Sequence, residues 1–215
     1  EEYRVSGEGR TLRAVGKAAL HMLAALSVLG LAVPAQAQFS AGYKFLEAVR
    51  KSDGNTVEEA LNKPGSTIVN TRDSSTGETA LHIVTKRRDR VWMSYMLSKG
   101  ANVNARDRDG TTPLQIAANL GFAEGVELLI QYRADTAQAN DAGETALITA
   151  VHRHDLAMSK LLLAGGADPE RPDNSGRSAR EYAKLESQEQ ILAAFDAAAK
   201  KGKPAAAKPV YGPSF

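Results

Sequence analysis

A glycine recurs every 33 residues through the middle of this chain, at positions 77, 110, 143 and 176. A second marker keeps the same period, at Gly100-Ala101-Asn102, Arg133-Ala134-Asp135 and Gly166-Ala167-Asp168. Two landmarks that hold one period indicate an internal structural repeat, because chance matches drift out of step. Such a chain folds by stacking similar units, each of which contacts only its neighbours.

The sequence of each repeat predicts a hairpin turn followed by two short antiparallel helices. Thr112 stands where a helix should begin, and its hydroxyl can accept a hydrogen bond from a backbone N–H that the first turn leaves unpaired. Pro113 follows at the first helical position, where its missing N–H costs nothing. Thr79 and Thr145 occupy the equivalent positions. The apolar stripe Val126-Leu128-Leu129-Ile130 then predicts a second helix that packs on the first.

These motifs resemble the ankyrin repeat, whose pattern is Gly-x-Thr-Pro-Leu-His, a pair of alanines, and a leucine-rich helix that ends in Gly-Ala-Asp. The resemblance covers residues 41–198 and implies an all-α solenoid of paired antiparallel helices with β-hairpin-like turns. We expect the repeats near 41–70, 73–106, 107–139, 140–172 and 173–198, with atypical first and last repeats that cap the array. The residues expected to maintain the repeat are Gly77, Thr79, His82, Gly110, Thr112, Pro113, Gly121, Gly143, Thr145 and Gly176.

The resemblance implies a structural role for His82, whose ring should bond to the nearby threonine and to backbone groups. Gln115, Ile148 and Glu181 replace this histidine in the later repeats, which predicts that the bonding network is incomplete there. The turn between the two helices of a repeat falls at Gly121 and, one period later, at His154. This position favours a positive φ, which histidine tolerates better than most residues.

The N-terminal 37 residues have the order of a cleavable signal peptide. A basic region with Arg10, Arg13 and Lys17 precedes an apolar run over 22–33, and Ala35-Gln36-Ala37 supplies the small-x-small cleavage pattern. The run is shorter than the roughly 20 residues of a membrane-spanning helix. We therefore expect a periplasmic or secreted bacterial protein that begins at Gln38. An uncleaved anchor and an amphipathic helix are the alternatives.

Charge and composition divide the rest of the chain into an array and a tail. Residues 38–198 hold 19 basic and 22 acidic side chains, whereas residues 199–215 hold four lysines and no acid. The tail is rich in Lys, Ala and Pro, which predicts disorder. The net charge of +2 is too small to indicate a nucleic-acid partner. The chain has no cysteine, so stacking must stabilise it without disulfides.

The sequence carries no motif that predicts catalysis, a cofactor or a metal. Nucleophile elbows, phosphate-binding loops and zinc-protease patterns are absent from it. His152-Arg153-His154-Asp155 has the residue types of a metal cluster. Two histidines at i and i+2 do not face each other on a helix, however, and no third ligand lies nearby in the sequence. We predict that the protein is not an enzyme and binds no metal.

The resemblance implies that hairpin tips and the exposed side of the first helices form a concave binding face. We expect a monomeric interaction module that binds a protein partner there, and the basic bias of the face favours an acidic partner. The alternatives are a solvated surface with salt bridges to Asp89, Asp107 and Asp109, or a polyanion or cell-envelope binder that also uses the lysine-rich tail. Stable membrane insertion is not expected once the signal is cleaved. The predicted face comprises Lys86, Arg87, Arg88, Arg106, Arg108, Asn119, Leu120, His152, Arg153 and Arg177.

Overall fold

The computed structural model describes residues 40–200 of the chain. The predicted signal peptide, its cleavage site at Ala35 and Ala37, and residues 201–215 of the predicted tail lie outside the described residues. The described part folds into five consecutive helix pairs, with one short 3-10 turn at Ile68–Asn70. The pairs are α1 (Ala41–Lys51) with α2 (Gly54–Leu61), α3 (Ala80–Lys86) with α4 (Arg90–Ser98), α5 (Pro113–Asn119) with α6 (Ala123–Gln131), α7 (Ala146–His152) with α8 (Leu156–Ala164), and α9 (Ala179–Leu185) with α10 (Glu189–Lys200).

Side-chain caps fix where the helices begin. The hydroxyl of Thr112 accepts a hydrogen bond from the backbone N–H of Gln115 at 3.3 Å, and Pro113 occupies the first position of α5. Asp89 and Asp155 cap α4 and α8 by accepting from backbone N–H groups three residues later. These contacts satisfy donors that the first turn of a helix leaves unpaired.

Within every repeat the two helices are joined through one residue with positive φ. These residues are Ser52, Arg88, Gly121, His154 and Ser187, with φ between 53° and 63°. The positive φ predicted at Gly121 and His154 is therefore present, and it recurs at the same register in the other repeats. The next residue bonds back to the first helix, as Phe122 N–H does to the carbonyl of Ala117 at 2.9 Å. This closes the helix end and reverses the chain.

The core lies between stacked layers of helices. The first helices of the repeats, α1, α3, α5, α7 and α9, pack on one another in order, and α4, α6, α8 and α10 form a second layer. Leu81, Leu114 and Leu147 occupy the same register and are buried. In the last repeat Arg180 takes this register, with ion pairs to Glu170 and Asp196. A terminal repeat has no neighbour on its outer side, so a polar residue replaces the leucine.

The hairpin turns are connected by backbone hydrogen bonds that repeat every 33 residues. Arg108 N–H donates to the carbonyl of Thr76, Asp141 N–H to Asp109, and Asn174 N–H to Ala142, at 3.0 to 3.2 Å. Each periodic glycine has a positive φ, and a Cβ on Gly143 would lie 2.4 Å from the backbone nitrogen of Asn174. The 33-residue spacing of the glycines therefore reflects both a backbone conformation with positive φ and the close approach of the next turn. No helix within residues 40–200 has the length and apolar content needed to cross a membrane.

Candidate protein-binding surface

His82 links the cap of its own helix to the next repeat. Its Nδ1 accepts a hydrogen bond from Thr79 N–H at 3.1 Å, and its Nε2 lies 3.1 Å from the carbonyl oxygen of Thr111. Because Nδ1 accepts, the proton belongs on Nε2, which donates to Thr111. Burial lowers the pKa of His82 below its ordinary value, so the ring is held neutral.

Gln115 makes the same two-sided link one repeat later. Its Oε1 accepts from Thr112 N–H at 2.8 Å, and its Nε2 donates to the carbonyl of Glu144 at 2.5 Å. The prediction of an incomplete network is wrong at Gln115, because an amide carries an acceptor and a donor with a separation similar to that of the imidazole nitrogens. Ile148 has neither group. Glu181 retains the cap by accepting from Ser178 N–H at 2.7 Å.

The predicted face has two rims along the stacked first helices. Arg106, Arg108 and Arg177 belong to the hairpins that precede α5 and α9. The other seven predicted residues lie at the C-terminal ends of α3, α5 and α7 or directly after them, and these helices are neighbours in the stack. The side chain of Lys86 extends from one rim toward the other, because its Nζ pairs with the Oε1 of Glu78. Glu78 lies two residues before the start of α3. A first helix of seven residues is about 10 Å long, which sets the height of the face.

Three of the predicted arginines hold neighbouring repeats together. Arg87 donates from Nη1 to the carbonyl of Val49 at 2.8 Å and pairs through Nη2 with Asp89 at 3.1 Å. Arg108 donates to the carbonyl of Ser74. Arg106 pairs with Asp141 at 2.9 Å. Of the salt bridges considered from sequence, the one to Asp89 is therefore present among the described residues.

Arg88 and Arg153, in contrast, do not join neighbouring repeats by a hydrogen bond or an ion pair within the described residues. Arg88 is exposed, and its guanidinium lies over the Phe122 ring, 5.6 Å from the centroid. Arg153 is exposed and forms no ion pair with another described residue. Asn119 and Leu120 lie between these arginines in the stack, so two exposed cations flank a neutral stretch. Such a surface can contact both acidic and uncharged groups of a partner.

His152 and His154 both approach the carboxylate of Glu186 in the next repeat. The Nδ1 of His152 and the Nε2 of His154 lie 3.4 and 3.3 Å from its two oxygens. The two rings reach the same carboxylate because His154 follows the end of α7 with a positive φ and leaves the helical geometry. Within residues 40–200, no group of three or more His, Asp or Glu side chains is placed to hold a metal ion.

Charge is also segregated along the array, which the sequence analysis did not anticipate. Residues 40–110 carry twelve basic and nine acidic side chains, whereas residues 111–200 carry eight and thirteen. The difference is visible when basic and acidic side chains are counted separately in the two halves of the array. The exposed Arg88 lies in the basic half and Arg153 in the acidic half, so an acidic partner meets a graded potential along the stack.

Stacked helix pairs with projecting hairpins define an α-solenoid, a class of scaffold that offers an extended surface to its partners. A family model of three ankyrin repeats matches residues 45–140, and a single ankyrin repeat matches residues 142–174. Together these matches cover more than half of the chain, which belongs to the ankyrin repeat family. Ankyrin repeat proteins bind protein partners and are in general non-catalytic.

Curated relatives match about half of this chain or less. An ankyrin repeat protein from fowlpox virus (strain NVSL) is 33% identical over 113 residues, which are 52% of this chain and 32% of that protein. Protein phosphatase 1 regulatory subunit 12A of Mus musculus is 33% identical over 79 residues, which are 37% of this chain and 8% of that protein. An ankyrin repeat-containing protein from Treponema pallidum (strain Nichols) is 32% identical over 110 residues, covering 51% and 37%. The chain thus spans well under half the length of each relative.

Proposed function

We propose that this protein is a monomeric, exported bacterial scaffold that binds an acidic protein partner on the concave face. The observation that carries the proposal is the pair of exposed arginines, Arg88 and Arg153, at the ends of stacked first helices. Neither side chain is committed to a hydrogen bond between repeats, unlike Arg87 and Arg108. An exposed cation without such a role is available to bind an acidic group of a partner, and arginine is enriched at protein interfaces.

A matched pair of double variants tests this face. Arg88→Glu with Arg153→Glu reverses two exposed cations of the face, neither of which forms an ion pair with another described residue. The control is Lys63→Glu with Arg133→Glu, which makes the same change in net charge. These two residues follow the second helices α2 and α6. The two sets match in backbone as well, since Arg88 and Arg133 both have a positive φ, of 59° and 66°. Proteins captured from a bacterial periplasmic extract by the wild type and by the Lys63/Arg133 variant, but lost from the Arg88/Arg153 variant, are the expected partners. Equal capture by all three forms would contradict the proposed face.

A polyanion is the competing ligand class, favoured by the four lysines at 200, 201, 203 and 208. Immobilised heparin serves as its probe. Polyanion binding would fall steeply with salt, because the charges involved are exposed and screened beyond a Debye length of about 10 Å at 0.1 M. Retention on heparin at physiological salt, with no protein captured, would favour this second function over the first.

Export is tested separately from binding. The basic, apolar and Ala35-x-Ala37 order supports a cleaved leader. When the full sequence is expressed in a Gram-negative host, we expect periplasmic protein whose N-terminal residue by mass analysis is Gln38. An uncleaved, membrane-bound form would contradict export by this route.

A further inference from the structure

The last repeat leaves a groove that no described residue fills. It lies between α8, the turn over 165–170 and α10, and its volume is about 910 Å³. Its wall is mainly apolar and includes Leu163, Ala164, Ala167, Pro169, Ala194 and Ala198. Lys160, Asp168, Glu170 and Arg180 add charge to the lining, and Arg180 pairs with Glu170 and Asp196. We call this site the terminal groove.

In the earlier repeats the corresponding turns pack against one another. Asn70 accepts through Oδ1 from the backbone N–H of Asn102 at 2.7 Å. Asn104 accepts in the same way from Asp135 at 2.9 Å. Asp168 has the same register as Asn102 and Asp135, but α10 continues to Lys200, three residues past the register at which α4, α6 and α8 end. Within the described residues, no further turn therefore follows the turn over 165–170 in that register.

We propose that the segment 201–215 of this same chain occupies the terminal groove. The last turn of α10, Ala197–Ala199, lines the groove, so the chain leaves the helix at its edge. Fifteen further residues can extend by about 50 Å, which is enough to follow the groove. The inference is independent of the concave face, on which the proposed function rests.

The composition of the segment suits the site. Val210, Tyr211 and Phe215 offer apolar side chains for the apolar wall, and burying each stabilises the contact. Lys201, Lys203 and Lys208 bring positive charge and no acid to the half of the array that has thirteen acidic and eight basic side chains. Tethering raises the effective concentration of the segment to about the millimolar range, which favours it over a second copy of the protein.

Site-specific labelling tests the proposal, because the chain contains no cysteine of its own. Ala164→Cys places one thiol in the groove, and Ala123→Cys places a control thiol at the exposed start of α6. Each is made in the full chain, with and without Val210→Asp, Tyr211→Asp and Phe215→Asp together. We expect the tail substitutions to speed maleimide labelling of the groove thiol several-fold and to leave labelling of the control thiol unchanged. Unchanged labelling of the groove thiol, or an equal change at both sites, would overturn the proposal.

A second measurement distinguishes the chain's own tail from a second copy. The double variant Ala164→Cys with Gly212→Cys is oxidised at several protein concentrations. An intramolecular disulfide that forms at a rate independent of concentration is the expected result. Disulfide-linked dimers alone would show that another molecule fills the groove, and absence of any disulfide would show that the tail does not reach it. Loss of partner capture by the Arg88/Arg153 variant changes neither outcome, so the two proposals fail separately.

Discussion

The Nη1 of Arg87 donates a hydrogen bond to the carbonyl oxygen of Val49, 2.8 Å away and 38 residues earlier in the chain. The guanidinium also lies over the Trp92 ring, 5.4 Å from its centroid. Arg87 therefore joins the first repeat to the second, although its position next to Lys86 and Arg88 gives it the appearance of a binding residue.

We predict that Arg87→Ala destabilises the array by about 1–3 kcal/mol, because it removes a charge-assisted hydrogen bond to the carbonyl of Val49, which then keeps only Ser52 N–H as its donor. Arg88→Ala should cost less, about 0.5–1 kcal/mol, since it removes only the exposed cation–π contact with Phe122. Urea unfolding of both variants measures the difference. Equal midpoints would show that Arg87 does not hold the two repeats together.

Gln115→Leu should destabilise the array by about 1–3 kcal/mol, because buried Thr112 N–H loses its acceptor and the carbonyl of Glu144 keeps only Asn140 N–H as its donor. Gln115→His is the control, since an imidazole makes the equivalent link at His82. We expect Gln115→His to retain most of the unfolding free energy that Gln115→Leu loses. A histidine variant as unstable as the leucine variant would mean that the link contributes little.

The neutral ring of His82 predicts a pH dependence with a definite sign. The pKa of His82 in the folded state lies below the ordinary value of about 6.5. Below that pH the unfolded chain therefore binds more protons than the folded protein does. The stability contributed by His82 is therefore present above about pH 6.5 and declines toward lower pH. We expect the unfolding free energy of the wild type to fall relative to that of His82→Gln between about pH 6.5 and 5. Parallel curves for the two proteins would contradict this origin.

Variants at Gly143 and Gly176 test separately the two reasons for a periodic glycine, the positive φ and the close approach of the next hairpin. Both have a positive φ, of 82° and 83°, but a Cβ would meet the next hairpin only at Gly143. Gly176→Ala should cost about 1 kcal/mol for its left-handed conformation alone. Gly143→Ala should cost clearly more, because its Cβ would lie 2.4 Å from the nitrogen of Asn174. Thermal unfolding of the two variants measures this, and equal losses would show that the hairpins can separate without cost.

The sequence predicts the fold well because its signals are local and periodic. Thr112 and Pro113 specify a helix start, and the 33-residue spacing specifies which turns stack. The use of long side chains is harder to predict, because their partners lie more than 30 residues away in the sequence. Arg87 reaches Val49, Arg106 reaches Asp141, and neither carboxylate nor carbonyl is marked by any motif.

Residue identity is also a poor guide where different groups perform one role. Gln115 departs from the histidine of the repeat pattern, yet it bonds on both sides as His82 does. Helical geometry predicts that His152 and His154 diverge, but that geometry does not extend beyond the end of α7. Among the predicted face residues, only the three-dimensional contacts separate Arg88 and Arg153 from the arginines that tie repeats together.

The most direct test of the concave face is the association rate of a captured acidic partner at two salt concentrations. We expect Arg88→Glu with Arg153→Glu to slow association at least about tenfold at low salt, because the two charges that steer the encounter are reversed. The Lys63/Arg133 variant, with the same net charge, should associate at close to the wild-type rate, and higher salt should narrow the difference. Equal slowing of both variants would contradict the face and show that net charge alone governs binding.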